Sequence, residues 1–117
     1  MAEITRFTGM TPTRSRAVRR GNLIYTVAVA DTAEQDMRKQ TQETLAKIER
    51  FLKDAGSDKS RLLSCTVYIC DMALKPQMNE AWDAWVDMAN PPQRACIGTT
   101  LEHPHMVEIV CVAASKD

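Results

Sequence analysis

Three short strands are predicted near the start of the chain, where β-branched and aromatic residues alternate with polar ones. They span Ile4 to Thr8, Ser15 to Arg20 and Leu23 to Ala30. The dipeptide Gly21-Asn22 joins the second to the third and is typical of a tight connection between two strands. The chain therefore opens with a strand-rich region.

A long amphipathic helix is predicted next. The segment Thr32-Ala33-Glu34-Gln35 resembles a capping box, which would open the helix. Gly56 would end it as a left-handed cap, because glycine adopts a positive φ without steric cost. Between these ends the inner positions recur at spacings of three and four, which predicts one buried stripe: Met37, Thr41, Thr44, Leu45, Ile48, Phe51, Leu52 and Ala55.

The second half of the chain predicts another strand and another helix. The strand runs from Leu62 to Cys70. The face of this strand that is directed away from the core is half polar but uncharged, so we expect that face to meet another subunit. The helix begins at Pro76 and stops at Asn90-Pro91-Pro92. The strand's core face is predicted to hold Leu63, Cys65, Val67 and Ile69. The helix's inner stripe is expected to be core rather than a cofactor-binding motif: Met78, Trp82, Trp85, Val86 and Ala89.

Two final strands lie on either side of a turn-like stretch from Thr99 to His105, and we expect them to pair. The element order is then strand, strand, strand, helix, strand, helix, strand, strand. This order predicts one α+β domain over residues 1–117, with two helices on one face of a mostly antiparallel sheet. Symmetric association of several copies would cover the other face.

Arg94 and Glu108 place opposite charges in these last two apolar strands. Burying either charge is expensive unless it is paired with the other or with a ligand. A guanidinium binds a carboxylate through two parallel hydrogen bonds. The two residues suggest a small pocket for an anionic metabolite, whereas residue types alone favour a structural ion pair.

Composition narrows the possible partners. The chain has 15 basic and 15 acidic residues, so no overall field attracts it to nucleic acid or to a membrane. Met1 to Ile4 contains no apolar leader, and no stretch approaches the length of a membrane span. We expect a cytoplasmic protein that binds a small carboxylate-bearing metabolite.

The four cysteines are expected to be reduced. Cys65 and Cys70 would lie about 16 Å apart on one strand, too far to bridge each other. Cys96 and Cys111 are expected as small buried thiols in the paired C-terminal strands. No Cys/His cluster has the spacing of metal ligands, so no metal is expected.

Six segments of the chain, in a fixed order, carry a resemblance to a known family. They are Arg19-Arg20-Gly21-Asn22-Leu23-Ile24-Tyr25, Asp54-Ala55-Gly56-Ser57-Asp58, Thr66-Val67-Tyr68-Ile69-Cys70-Asp71-Met72, Met78-Asn79-Glu80, Gln93-Arg94-Ala95-Cys96 and Val107-Glu108-Ile109. In this order they resemble the Rid family of reactive intermediate deaminases, also called YjgF-like or L-PSP proteins. The resemblance implies a chorismate-mutase-like α+β fold and a homotrimer whose sheets face a central barrel, with three pockets at subunit clefts. The implied activity is hydrolysis of small enamine or imine acids to 2-oxo acids and ammonia.

The same resemblance implies roles for four residues. Arg94 matches the anchor of the substrate carboxylate, and Glu108 matches a glutamate that positions water. Cys96 matches a cysteine that lines the pocket, and Asn79 matches a polar residue near the cleft. Hydrolysis of an imine then needs positioning and one water, and no metal or organic cofactor.

Two positions depart from the pattern of deaminating members. Arg14 stands where those proteins carry a tyrosine, and Val27-Ala28-Val29 stands where they carry Ser-Gly-Gln. Val27 removes a hydroxyl that would bind the substrate, and Arg14 adds a positive charge. These departures favour an alternative, a non-catalytic metabolite-binding trimer of the same fold.

Two further readings of the residues are weaker. Endoribonuclease activity fits poorly, because the chain has no net charge and no pair of histidines positioned for acid–base work. His103-Pro104-His105 is expected to be a surface loop rather than a metal site, because nothing nearby supplies further ligands.

Overall fold

The computed structural model describes residues 3–117; Met1 and Ala2, part of the segment inspected for a leader, lie outside the described residues. It contains six strands and two helices, which confirms the predicted α+β class. The strands are β1 (Ile4–Thr8), β2 (Ser15–Arg20), β3 (Leu23–Val29), β4 (Leu62–Ile69), β5 (Gln93–Gly98) and β6 (Val107–Ala114). The helices are α1 (Met37–Asp54) and α2 (Lys75–Trp85), and short 3₁₀ turns span Lys59–Arg61 and Met72–Leu74.

All six strands form one sheet in the order β1-β2-β3-β6-β4-β5. Every neighbouring pair is antiparallel except β4 and β5, which are parallel. The predicted pairing of the last two strands is therefore wrong, because β4 lies between β5 and β6. The physical reason is the crossover through α2. A parallel neighbour needs such a connection, and it delivers β5 to the outer side of β4 and leaves β6 to join β3 to β4.

Helix α1 begins later than the capping-box motif predicts. Asp36 is the N-cap, and its carboxylate accepts a hydrogen bond from the Lys39 backbone N–H at 2.9 Å. The Thr32 hydroxyl instead accepts from the Glu34 backbone N–H at 3.1 Å, which holds a local turn before the helix. Both residue types cap well, and the one closest to the apolar stripe is used.

The predicted end of α1 is confirmed. Gly56 has a φ of 92° and follows the last helical turn. The Ser57 N–H donates to the Leu52 carbonyl at 2.8 Å, and the Gly56 N–H donates to the Lys53 carbonyl at 3.2 Å. These two bonds form a Schellman motif, which satisfies carbonyls that have no partner within the helix.

The core lies between the helices and one face of the sheet. Leu63 was expected there, but it is 49% exposed, and Leu62 is buried instead. An irregularity between Leu62 and Ser64 in the pairing with β6 inserts one extra residue, which reverses the alternation at the start of β4. The rest of that predicted face is confirmed, and the strand residues buried in the core include Ile24, Cys65, Val67, Ile69, Val107, Ile109 and Cys111.

Helix α2 contains Pro76 in its first turn, as predicted, but it ends at Trp85, before Asn90. Val86 adopts an extended conformation (φ −61°, ψ 145°) that the helix cannot continue through. The Asp87 carboxylate then accepts backbone and side-chain hydrogen bonds in a local turn. Of the predicted stripe, Met78 and Trp82 are buried, Trp85 and Val86 are half-buried, and Ala89 lies exposed beyond the helix.

The opposite face of the sheet, called the open face below, carries no helix of the described chain. Large apolar side chains remain exposed along it: Tyr25 by 47%, Val27 by 39%, Ile97 by 43% and Val110 by 38%. In the part of the chain that the structure describes, no helix is both long and apolar enough to span a bilayer.

Candidate functional site

A pocket of about 410 Å³ lies at the end of the sheet where β2 begins, β3 ends and β6 begins. It brings together three of the predicted site residues, Arg14, Val27 and Glu108. Its other walls include the charged residues Arg16 and Lys47, the apolar residues Met10, Val29 and Phe51, and Glu102 and His105 from the loop before β6.

Glu108 lies in the centre of the sheet, aligned with Val29 on β3 and with Tyr68 on β4. Its chain neighbours Val107 and Ile109 are completely buried on the helix side. Because side chains alternate along a strand, Glu108 is directed to the open face. It is half-buried and has no ion-pair partner within residues 3–117, so its carboxylate is available to a ligand or a water.

The cations of this pocket differ in how they are paired. The Arg16 guanidinium donates to the Asp54 carboxylate at 3.2 Å. The Lys47 ammonium donates to Asp31 at 2.8 Å, and this hydrogen bond holds the pKa of Asp31 below its ordinary value. Arg14 is exposed and forms no ion pair with any described residue. It is therefore the pocket cation most available to an anion.

His105 is a pocket residue that the sequence did not identify. It was expected on a surface loop, yet it is half-buried, and its Nδ1 atom is buried without a hydrogen-bond partner among the described residues. The buried amide of Gln40 holds this loop. Its Oε1 accepts from the Met106 N–H at 2.9 Å, and its Nε2 donates to the Pro104 carbonyl at 3.0 Å. No local pattern signals this placement, because the loop is fixed by a helix distant in sequence.

Arg94 lies on the edge strand β5, away from this pocket. It is aligned with the buried Cys65 of β4, which places it on the helix side of the sheet. Its guanidinium carbon is 5.2 Å from the centre of the Trp82 ring, and Nη1 is 3.8 Å from the Met78 sulfur. Within residues 3–117 it has no carboxylate partner, so it keeps most of its hydrogen-bonding capacity.

The expectation that Arg94 and Glu108 lie on adjacent strands is wrong. β4 separates them, and their side chains are directed to opposite faces of the sheet. Two strand spacings and three residues along the strands place their Cα atoms about 14 Å apart. The structural ion pair is thereby excluded within one chain, and one small ligand cannot contact both side chains of a single copy.

Cys96 and Asn79 lie on the same side as Arg94. Cys96 is half-buried on β5 and packs against the core, aligned with Val67. Asn79 is half-buried on α2, and its Oδ1 atom is buried without a hydrogen-bond partner among the described residues. An orphaned buried oxygen is costly, so a donor from outside this chain would stabilise it.

Metal ligands are not clustered in the described part of the chain. Across residues 3–117, no group of three or more His, Cys, Asp and Glu side chains is arranged to hold a metal ion.

Comparison with known proteins places the chain in a family. A sequence profile of one family, described as "Endoribonuclease L-PSP", matches residues 10–115. A RutC family protein of Haemophilus ducreyi is 40% identical over 99 residues, which covers 84% of this chain and 85% of that protein. The RutC family protein YoaB of Escherichia coli K12 is 38% identical over 101 residues, covering 86% of this chain and 89% of that protein.

A solved structure confirms the fold. A member of the YjgF protein family from Neisseria meningitidis superimposes with a TM-score of 0.93 at 37% identity. The match covers 98% of this chain and 97% of that one. The resemblance noted from six sequence segments is thus confirmed over nearly the whole chain.

Proposed function

The chain belongs to the L-PSP family, which includes RutC-family and YjgF-family proteins, and on that premise we propose that it hydrolyses small enamine or imine acids to 2-oxo acids and ammonia. The observation that supports this proposal most strongly is the environment of Arg94. Its guanidinium is half-buried against Trp82 and has no carboxylate partner within residues 3–117. A charge kept out of water in this way is stabilised by an anionic ligand.

The proposed active form is a homotrimer in the cytoplasm. The open face supports association, because its exposed Tyr25, Val27 and Val110 would be covered by other copies. The separation of Arg94 from Glu108 supports it too. A complete site requires Arg94 of one copy to meet the pocket lined by Glu108 of another. The Oδ1 atom of Asn79 has no hydrogen-bond partner within residues 3–117, which is consistent with a donor supplied across the same boundary.

The mechanism assigns one task to each charged group. Arg94 would hold the substrate carboxylate and so fix the imine carbon relative to Glu108. The Glu108 carboxylate would accept a proton from the attacking water and return it to the departing nitrogen. One imine and one water give one 2-oxo acid and one ammonia, and no cofactor is required. Cys96 would line the Arg94 side of the site, and Arg14 and Val27 the Glu108 side.

The alternative is a trimer that binds such acids without turnover. Val27 favours it, because this side chain presents methyl groups to the pocket where a hydroxyl would bind substrate. Endoribonuclease activity, named in the description of the matching family, is the weakest proposal. The chain has no net charge to hold a polyanion, and the pocket carries two carboxylates, Glu102 and Glu108.

The test is an assay that generates 2-aminoacrylate enzymatically and follows its conversion to pyruvate. We expect Arg94→Ala to lower kcat/KM by about 10- to 150-fold, the range for losing one charge-assisted contact. Glu108→Gln should lower kcat more than it raises KM. Arg38→Ala, which removes an exposed arginine paired with Glu80, is the matched control. Unchanged turnover in Arg94→Ala would refute the proposal, and binding without turnover in the wild type would establish the alternative.

Mixed oligomers test whether the site is shared. Arg94→Ala and Glu108→Gln proteins are denatured together and refolded as a mixture. In a cyclic trimer about one quarter of the sites then receive an intact Arg94 from one copy and an intact Glu108 from the next. Recovery of activity to about that fraction supports a shared site, whereas no recovery places both residues in one subunit's site or outside it.

A further inference from the structure

Two cysteine thiols lie in direct contact in the middle of the core. Cys65 on β4 and Cys111 on β6 are aligned directly opposite each other, and their sulfur atoms are 2.9 Å apart. Each is 1% exposed, although they are 46 positions apart in the sequence. From the sequence we judged Cys65 and Cys70 too far apart to bridge each other and expected Cys96 and Cys111 as small buried thiols. The contact between Cys65 and Cys111 was not foreseen, because nothing in the sequence reveals that β6 pairs with β4.

The backbone at this pair already meets the requirements of a disulfide. Directly opposite residues of antiparallel strands have Cα atoms about 4.5–5.5 Å apart. Disulfides span Cα separations of about 4.4–6.8 Å. The sulfur atoms need to approach by about a further 0.9 Å to reach bonding distance. Small side-chain rotations supply that movement without a change in the strands.

The surroundings determine which oxidants reach the pair. Cys70 is exposed and Cys96 is half-buried, so reagents of any size meet those thiols first. The neighbours of Cys65 and Cys111 are apolar core residues such as Val67 and Ile109. The hydrogen bond with Cys65, together with burial, raises the pKa of Cys111, so the reactive thiolate is scarce. The pair is therefore suited to a slow reaction with a small uncharged oxidant.

We propose that Cys65 and Cys111 form a redox modification site, at which a small hydroperoxide converts two core thiols into one disulfide between β4 and β6. One sulfur attacks a peroxide oxygen, the O–O bond breaks, and a sulfenic acid and one water form. The second sulfur attacks the sulfenic sulfur, the S–O bond breaks, and the hydroxyl leaves with the second thiol proton as water. Two thiols and one hydrogen peroxide thus give one disulfide and two waters. The peroxide receives the two electrons that the sulfurs lose.

The bond would link the two halves of the sheet. β4 carries β5 and Arg94 on one side, and β6 is joined to β3 on the other. Reduction would be slow in the folded state, because a reducing thiol must reach a sulfur that is almost completely buried. The site would act as a lasting record of oxidation rather than as a rapid sensor.

The experiment uses the folded Cys70→Ser/Cys96→Ser protein, which retains only the core pair and changes no fully buried residue. It is treated with hydrogen peroxide and, in parallel, with oxidised glutathione. We expect peroxide to remove both thiols together, with a mass loss of about 2 Da and a linked peptide containing Cys65 and Cys111 on non-reducing digestion. The melting temperature should rise by several degrees, because the cross-link restricts the unfolded chain. Oxidised glutathione should react far more slowly.

Two controls keep the result decisive. Cys65→Ala in the same background leaves Cys111 alone, so no mass loss is possible there. Cys111→Ala gives the reciprocal control if the first variant does not fold. The proposal is overturned if peroxide adds oxygen to the core pair without linking it, or links only separate molecules. It is also overturned if both core thiols survive peroxide exposures many times longer than the one that fully oxidises Cys70 and Cys96 of the wild type.

Discussion

The helix-covered face and the open face are made by the same strands, but their apolar side chains are covered differently. On β6, Val107 is completely buried beneath the helices, whereas Val110 on the other face is 38% exposed. The first face is covered by the helices of the same chain. The second leaves a row of apolar side chains that another copy of the chain could cover. The proposed site joins the two faces, with Glu108 on the open side and Arg94 on the helix side.

The strongest test of this difference introduces one charge on each face. Val107→Lys should prevent cooperative folding, because an unpaired ammonium in the core costs several kcal/mol. Val110→Lys should fold and should remain a monomer, because the charge would lie in the proposed interface. Circular dichroism and sedimentation velocity separate these outcomes. A Val110→Lys protein that associates as the wild type does would show that the open face is not the interface.

A milder pair of substitutions measures packing alone. In the Val110→Lys background, where association does not contribute, Val107→Ala should lower the free energy of unfolding by about 2–3 kcal/mol through lost burial and a cavity. Val27→Ala, on the open face and 39% exposed, should lower it by less than about 0.5 kcal/mol. Urea titration gives both values. Equal losses would mean that the two faces are equally well packed within one chain.

The loop between β5 and β6 depends on a buried amide of the helix side. Gln40→Leu should cost about 2 kcal/mol, because the buried N–H of Met106 would lose its acceptor. Gln35 is the matched control. It is exposed and donates to the same Pro104 carbonyl at 2.9 Å, so Gln35→Leu should cost less than about 0.5 kcal/mol. Faster hydrogen exchange at Met106 in Gln40→Leu alone would show that the Gln40 amide holds the loop. Similar exchange in both variants would contradict that role.

The smallest expected effect is a change in the stability of the fold at low pH. The Asp58 carboxylate caps the 3₁₀ turn before β4 by accepting from the Ser60 N–H at 2.8 Å, and its hydrogen bonds with Ser60 lower the pKa of Asp58. A lowered folded-state pKa stabilises the fold above the unfolded value of about 4, and this contribution is lost as pH falls through the folded value. Asp58→Ala should cost about 1 kcal/mol at pH 7. Its difference from the wild type should shrink as pH falls below about 4.

The control for this prediction is Asp58→Asn, which keeps an acceptor oxygen without a charge. The free energy of unfolding of Asp58→Asn should not include the pH-dependent contribution that the Asp58 carboxylate makes in the wild type. A gap between the wild type and Asp58→Ala that stays constant down to pH 2 would show that the ionised form has no special role.

Most elements could be predicted from the sequence, because the signals for them are local. Alternation marked the strands, and Gly56 marked the end of α1, since only a glycine accommodates that conformation readily. The errors occur where contacts between segments distant in sequence determine the structure. The extra residue at Leu63 exists only in the pairing of β4 with β6, and no pattern within the strand reveals it.

The candidate site was predicted less well for the same reason. Arg94 and Glu108 were recognised as unusual charges in apolar strands, and both remain available to a ligand. Their placement was wrong, because proximity in sequence suggested a hairpin where the chain crosses over through α2. His105 was missed because its burial is set by Gln40, which contacts the loop from another element.

The position of β6 has a consequence for how the sheet assembles. This strand is the last of the six along the chain, yet it lies between β3 and β4 and joins the two parts of the sheet. Until β6 is in place, β1–β3 and β4–β5 have no strand between them and remain separate. A chain truncated before Val107 would therefore expose two unpaired sheet edges, the kind of edge that recruits other strands and that chaperones cover.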